Sequence, residues 1–265
     1  MRLGLIGCSN IGSALAKAVD DRIISAELAV IYDKVAEKAM KLKQNLLNVK
    51  PKIAASFEEF LEVPMDLAVE AASQDAVREY IPKLLEKGVS VAIMSVGVLL
   101  DYSLFDNIKK YAEKSGAKIY IPSGAIGGID AIKAASLIGI DQIELTVRKN
   151  PRSLIGAKVK DKLETLKEPK LIYEGFGEEA VKLFPANVNV VATLTLASKR
   201  SVRVKIIADP KVDKNVHEFH VKGKFGEMTM KFVNTPSPEN PKTSYIAIFS
   251  LIRLLKDITN SIKIG

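Results

Sequence analysis

Met1-Arg-Leu-Gly-Leu-Ile-Gly7-Cys-Ser-Asn-Ile-Gly12-Ser-Ala14 begins as an apolar run (Leu3, Leu5, Ile6) that halts at Gly7. After Gly12 the pattern is helical, through Leu15, Ala16 and Val19. A strand feeding a glycine turn that opens a helix offers backbone N–H groups and a positive helix end to a pyrophosphate. The fingerprint G-x-G-x-x-G is only partly met, because Ser9 stands where the middle glycine normally lets the backbone approach the phosphates. An acidic residue is expected about twenty positions on, and Leu28-Ala-Val-Ile-Tyr-Asp33 supplies one at the end of a second strand. The stretch therefore predicts a dinucleotide site, with Gly7, Ser9, Asn10, Ile11 and Gly12 on the pyrophosphate and Asp33 on the adenosine ribose. A bare βαβ unit with an incidental glycine turn is the competing reading.

Outward from this turn, strands and helices alternate. A helix is expected from about Lys34 to Leu47, and Ile53 to Phe57 reads as a short strand or extended loop whose Ser56 caps the next helix. Met65 to Glu70 and Val89 to Met94 are compact apolar runs of the buried parallel kind. Between them a helix from Ala76 to Lys87 stops at Gly88. Tyr102 to Ser115 is helical, and Ala117 to Ile121 is the next strand. This alternation predicts a Rossmann-type doubly wound parallel sheet, an α/β domain over residues 1–121. Ligands then belong outside the carboxyl ends of the strands, where loops 7–12, 70–75 and 95–98 gather.

Near residue 122 the grammar changes. Pro122-Ser-Gly-Ala-Ile-Gly-Gly128 is a second glycine-rich stretch, leading into a helix from Asp130 to Gly139. Beyond it, Gln142–Arg148, Ser201–Ile206, Val216–Lys222 and Gly226–Phe232 alternate apolar and polar residues, as half-solvated strands do. Glu178 to Ala197 is helical on both sides of Phe184-Pro-Ala-Asn-Val-Asn-Val190. Residues 122–241 are therefore expected to form an α+β substrate domain with a mainly antiparallel sheet, whose exposed face suits dimerisation without requiring it. A last helix, over 242–262, carries Tyr245, Ile248, Phe249, Ile252 and Leu255 at helical spacing. Thr243 or Ser244 is available to cap it, and it should pack back on the dinucleotide domain.

Composition removes several classes. The chain of 265 residues is globular in composition, with one cysteine, Cys8, which excludes a disulfide framework and a cysteine zinc site. Cys8 reads as a small filler in the turn. The formal net charge of +8 is spread along helices among glutamates, without a basic stripe interleaved with aromatics, so nucleic acid is not an expected partner. Lysine outnumbers arginine, a pattern associated with hyperthermophile surfaces. Val89 to Leu100, the longest apolar run, is too short for a bilayer, and no charged-then-apolar leader precedes the first strand. A cytoplasmic location, with no membrane partner, is expected.

Two histidines are available for proton transfer near neutrality, and both lie on one strand. Their offset of three places them on opposite faces. His217 shares the apolar face with Phe219 and Val221; His220 shares the solvated face with Glu218 and Lys222. His217 is thus either a satisfied core residue or a shielded acid/base. Asn187 and Asn189 are either helix caps or side-chain amides for a ligand. Asn240-Pro-Lys242-Thr243-Ser244, opening the last helix, is a candidate anion site. No metal-ligand or nucleophile-elbow spacing occurs.

Taken together, Gly7–Gly12, Ser123-Gly-Ala-Ile-Gly-Gly128, Phe184–Val190, Asp209-Pro…Asn215-Val-His217 and Asn240–Ser244 resemble the archaeal and bacterial L-aspartate dehydrogenases, in that family's order and over essentially the whole chain. The glycine turn is shared by many oxidoreductases; the second glycine stretch, the FPANVNV stretch and the N-x-H strand are far more specific. The resemblance implies NAD(P)-dependent oxidation of L-aspartate to iminoaspartate. That product then hydrolyses to oxaloacetate and ammonia or passes to quinolinate synthase on the route to NAD. It also implies a homodimer, cofactor contacts at the Ala125 backbone amide and the Asn189 side chain, and His217 as the catalytic residue. The face argument selects His217 independently. Asp33 suits NAD, whereas Lys34 beside it would tolerate the 2′-phosphate of NADP. Ser123, Gly124, Lys242, Thr243 and Ser244 are candidates for the substrate carboxylates. A homoserine or dihydrodipicolinate type of two-domain reductase, and a non-catalytic dinucleotide sensor, stand as alternatives.

Overall fold

The computed structural model describes all residues except 156, 158–162, 185–188 and 263–265. Two compact units emerge: Met1–Pro122 with the chain from Ile248 onward, and Ser123–Ala247.

In the first unit, β1 (Arg2–Ile6), β2 (Glu27–Tyr32), β3 (Lys52–Ile53), β4 (Leu67–Glu70), β5 (Ser90–Ile93) and β6 (Ile119–Tyr120) form one parallel sheet. Its order is β3-β2-β1-β4-β5-β6. β1 is central, so its carboxyl end lies at the point where the strand order reverses, the place where such sheets bind ligands. β4 is buried along its whole length, which is why its sequence is a nearly continuous apolar run. α1 (Asn10–Asp20), α2 (Ala36–Gln44), α3 (Phe57–Leu61), α4 (Gln74–Glu86) and α5 (Tyr102–Ser115) make the crossovers. Ser56 caps α3 by accepting the Glu59 N–H at 3.1 Å, and Gly116 ends α5 in a left-handed conformation, φ 78°. The last helix, α9 (Tyr245–Thr259), adds Ile248, Leu251, Ile252 and Leu255 to the core that holds Leu3, Leu5, Leu15 and Leu28. It begins at Tyr245, after the first residues expected of it. Asn240 arrests the chain there: its carboxamide oxygen accepts the Lys242 N–H at 3.2 Å and its backbone carbonyl the Thr243 N–H at 2.9 Å.

One buried carboxylate fixes the outer edge of this unit. Asp20, at the end of α1, accepts the backbone N–H groups of Leu47, Asn48 and Val49 at 3.0, 2.6 and 2.9 Å. Those bonds, led by Leu47, hold its carboxyl down at about 2 against the opposing effect of burial. Asp20→Ala would leave three N–H groups without their acceptor. We expect a fall of several degrees in Tm, read by circular dichroism, and partial recovery in Asp20→Asn, whose carboxamide keeps one accepting oxygen.

The second unit is built on a mixed sheet of order β11-β10-β7-β9-β8. Its strands are β7 (Ile140–Lys149), β8 (Lys170–Phe176), β9 (Arg203–Ala208), β10 (Asn215–Gly223) and β11 (Gly226–Asn234). Three of the pairings are antiparallel and β7–β9 is parallel. α6 (Ile129–Ile138), α7 (Gly177–Leu183) and α8 (Asn189–Ser198) accompany it. Ile143, Leu145, Val147, Val204, Ile206, Phe219 and Val221 are its buried positions, as the alternation requires. β8 carries no such alternation: it is an edge strand, half-solvated on both faces, with an irregular register against β9. For that reason the sequence reading passes over it.

Candidate active site

The glycine turn is held from two sides. Gly7 donates its N–H to the Tyr32 carbonyl at 2.8 Å and adopts φ 95°, and a side chain there would meet the Ala71 backbone at 2.6 Å. Gly12 lies against the Gly7 carbonyl so closely that an added Cβ would stand 1.9 Å from that oxygen. The helix begins at Asn10, two residues before Gly12. Ser9 is its N-cap, with extended backbone (φ −87°, ψ −159°), so serine occupies the place of the middle glycine without strain. The Ser9 side chain makes no capping bond and α1 has no acidic residue in its first turn. The N–H groups of Asn10, Ile11 and Gly12 thus face no competing carboxylate of their own helix.

Asp33 follows β2 directly. Its Oδ2 accepts the Cys8 N–H at 2.8 Å and its Oδ1 the Val35 N–H at 2.9 Å, so the carboxylate ties the turn to the end of the neighbouring strand. Cys8 is a buried filler: burial, and then the Asp33 charge, push its thiol up to about 12. Lys34 is committed to Glu79 at 2.9 Å and lies over the Tyr80 ring. This exposed pair is weak, so a 2′-phosphate could displace it. Glu70, at the end of β4, organises the next two loops. Its buried carboxylate accepts Ala72 N–H at 2.8 Å, Ser95 N–H at 3.0 Å and Ser95 Oγ–H at 2.9 Å. Burial raises its pKa despite those bonds. The sequence reading ends a strand at Glu70 and gives the residue no role; its signal is a carboxylate closing an otherwise apolar strand.

In the second unit His217 is 1% exposed, on the same face of β10 as Phe219 and Val221, whereas His220 lies on the other face beside Thr229 (Nδ1–Oγ1 2.7 Å). Burial, and then the charge of Lys149, push the His217 imidazole down to about 3. Its ring neighbours Asn234 on β11, 3.5 Å between Asn234 Nδ2 and His217 Nδ1. The same Asn234 Nδ2 donates to the Ala125 carbonyl at 2.7 Å. His217 and the Ser123–Gly128 stretch are therefore joined through one amide. Lys149, at the end of β7, is also buried; desolvation lowers its amine to about 8, and it donates to the Lys242 carbonyl at 3.1 Å. Ser153 Oγ and Asn215 Nδ2 both donate to the Pro241 carbonyl, at 3.3 and 3.4 Å. These bonds lay the 240–244 segment across the ends of β7 and β10.

The sequence-derived candidates are thus distributed as follows. Gly7, Ser9, Asn10, Ile11, Gly12 and Asp33 meet around one turn of the first unit. Ala125 is buried in the second glycine stretch with Ser123 and Gly124 just before it. Asn189 is the first residue of α8, half-buried, and its backbone carbonyl accepts from Thr193 Oγ1 at 3.2 Å. Asn187 lies outside the described residues. Thr243 Oγ1 pairs with Asn240 Nδ2 at 3.4 Å, and Ser244 Oγ is buried with no hydrogen-bond partner among the described residues. Lys149 and Asn234 were missed by the sequence reading, which named Asn215 only as part of the N-x-H stretch. All three sit at strand ends, where alternation no longer distinguishes a polar side chain turned inward. No cluster of His, Cys, Asp or Glu able to hold a metal occurs among the described residues, and none of their helices is long and apolar enough to cross a membrane.

The N–H groups at the start of α1, the glycine packing that lets a phosphate approach and the Asp33 carboxylate fit a dinucleotide. Comparison with known proteins agrees. Residues 7–122 match the family described as homoserine dehydrogenase, NAD binding domain, and residues 130–258 the family described as aspartate dehydrogenase, C-terminal. The L-aspartate dehydrogenase of Methanosarcina mazei is 44% identical over 271 residues, covering 100% of this chain and 99% of the relative. That of Methanococcus maripaludis is 44% identical over 268 residues, with the same coverage. The crystal structure of aspartate dehydrogenase from Thermotoga maritima superposes with a TM-score of 0.78 at 28% identity, covering 100% of this chain and 99% of that one. A myo-inositol dehydrogenase from Lactobacillus casei, at 12% identity and TM-score 0.62, shares the fold alone. The homoserine description attaches only to the nucleotide-binding part, and whole-chain identity decides the matter: this chain belongs to the L-aspartate dehydrogenase family.

Proposed function

We propose that the chain is an NAD(P)-dependent L-aspartate dehydrogenase, oxidising the CH–NH2 group of L-aspartate to iminoaspartate. The observation that carries the reading is 44% identity over the whole chain to L-aspartate dehydrogenases, with a glycine turn built to receive a dinucleotide. The unit Met1–Pro122 with the chain from 248 onward is the dinucleotide-binding part, and residues 123–247 are the substrate part. A nicotinamide cofactor held there would supply the acceptor for the hydride of the substrate Cα.

The rest of the chemistry falls to the chain's own residues. Asn10, Ile11 and Gly12 N–H groups, with the Ser9 hydroxyl, hold the pyrophosphate, and Gly7 allows the turn. Asp33 accepts from a ribose hydroxyl. Its carboxylate spends only part of its accepting capacity on Cys8 and Val35. Ala125 gives its N–H to the nicotinamide end, its carbonyl being taken by Asn234, and Asn189 offers a side-chain amide there. The two substrate carboxylates are received by Ser123, Gly124, Lys242, Thr243 and Ser244, of which Ser244 Oγ is buried without a partner among the described residues. His217 manages proton traffic at the reacting centre, towards the departing amine or the water that attacks the imine. Two copies of the chain associate, which the solvated face of the mixed sheet would suit. The iminoaspartate either hydrolyses or is handed to quinolinate synthase, and the enzyme works in the cytoplasm.

The test is absorbance at 340 nm with NAD⁺ or NADP⁺ and, in parallel, L-aspartate, D-aspartate, glutamate and homoserine. Turnover with L-aspartate alone is expected. Preference for homoserine sinks the reading in favour of the other reductase type, and NADH binding without turnover on any amino acid sinks it in favour of a sensor.

A further inference from the structure

The structure assigns Asn234 as a positioning residue that holds His217 as the neutral Nε2–H tautomer. The Ala125 carbonyl can only accept. Asn234 stands 2.7 Å from it, so the amide must turn its nitrogen to that side; the flipped amide would set oxygen against oxygen. The same NH2 group, with its second hydrogen, lies 3.5 Å from His217 Nδ1. An NH2 group cannot accept, so Nδ1 is the acceptor and carries no proton. The neutral ring then bears its proton on Nε2. Among the described residues no other hydrogen-bond partner competes for this ring.

The surroundings point the same way. On β11 the neighbours of His217 are Phe232, directly opposite, and Asn234; on β7 they are Val147, directly opposite, and Lys149 two residues further. Among the described residues the charge facing the ring is the Lys149 ammonium, and none of them brings a carboxylate to stabilise an imidazolium. A proton added at Nδ1 would also point at the Asn234 NH2 group, donor against donor. In the free enzyme His217 therefore presents Nε2–H as a donor for a substrate oxygen, and its proton traffic starts from this donor form. A neutral donor suits an anionic substrate, because it gives a hydrogen bond without the desolvation cost of a buried cation. Asn234 also makes the ring's orientation depend on the Ser123–Gly128 stretch, since both hang on one amide.

This inference rests on the reading of His217 as part of the reaction, yet its test is made in the free enzyme and can fail separately from turnover. The chain has only two histidines, so nitrogen-detected NMR of the ¹⁵N-labelled imidazoles resolves them, and His220→Gln assigns the pair. For His217 we expect, at pH 7, a protonated Nε2 and an unprotonated Nδ1, both unchanged on lowering the pH to 5. Asn234→Asp places a carboxylate beside Nδ1 and should move the proton onto that nitrogen, with loss of turnover of tenfold or more. An Nδ1–H tautomer or a doubly protonated ring in the wild type overturns the assignment. So does an Asn234→Asp variant whose His217 nitrogens match the wild type. Should Asn234→Asp fail to fold, the wild-type spectrum decides alone.

Discussion

His217→Ala is expected to lower kcat for L-aspartate oxidation by about 10²–10³-fold, the range for losing one preorganised hydrogen-bond donor. Binding of NADH, measured by fluorescence titration, should change by less than about threefold, because the residues proposed for the pyrophosphate and ribose all belong to the first unit. A residual rate within about threefold of wild type would remove His217 from the mechanism. The alanine variant also leaves a cavity beside Phe219 and takes away the second partner of Asn234, so a loss of stability could imitate a loss of chemistry. His217→Asn separates the two. Its side-chain oxygen lies near the place of Nδ1 and can accept from Asn234, while nothing replaces Nε2. The asparagine variant should therefore melt close to wild type and be as inactive as the alanine one.

The same residue makes the fold acid-sensitive. The imidazole is held down at about 3 by burial and by Lys149, whereas an unfolded chain protonates it near 6.5. Between those values the unfolded state binds more protons, so stability falls as pH drops through the window, by up to about 1.4 kcal/mol per pH unit. Above pH 6.5 the contribution is fully present. Urea midpoints at pH 7 and pH 5 should differ in wild type, and differ less in His217→Asn.

Gly12→Ala is the second substitution with a large expected effect. Its Cβ would stand 1.9 Å from the Gly7 carbonyl oxygen, and that atom belongs to backbone fixed by the Gly7–Tyr32 hydrogen bond. Either α1 moves off β1 or the turn opens, and overpacking of this kind costs about 3 kcal/mol. A fall in Tm of roughly 6–12 °C follows for a chain of this size. NADH affinity should drop by at least about tenfold, because the N–H groups of Asn10, Ile11 and Gly12 shift together. Ser9→Gly is the control. Ser9 already has an extended backbone that needs no glycine and makes no cap, so the change should cost only a few tenths of a kcal/mol. Equal falls in Tm for the two substitutions would show that the turn is not packed as described.

The glycine turn, the buried parallel strands and the placing of His217, not His220, on the buried face were legible in the residues because each is a matter of local periodicity. A strand alternates whatever it pairs with, and a glycine that must accept a close carbonyl has no substitute. The specific stretches around Ala125, Asn189 and His217 added the family. The boundaries that moved did so for local reasons too: Ser9 starts α1 ahead of Gly12, and the Asn240 turn delays α9 to Tyr245.

What only the tertiary structure decided is the company each polar group keeps. Asn234 meets Ala125 across 109 residues, and Lys149 meets Lys242 across 93. Both contacts depend on strand register and on which strands are neighbours. The parallel pairing of β7 with β9, and β8 at the edge, follow from sheet order that no alternation encodes. Sequence by itself determined that a histidine lies on the buried face of β10. The tertiary structure decided which of its nitrogens carries the proton, because that depends on one amide brought in from another strand and turned by the carbonyl it serves.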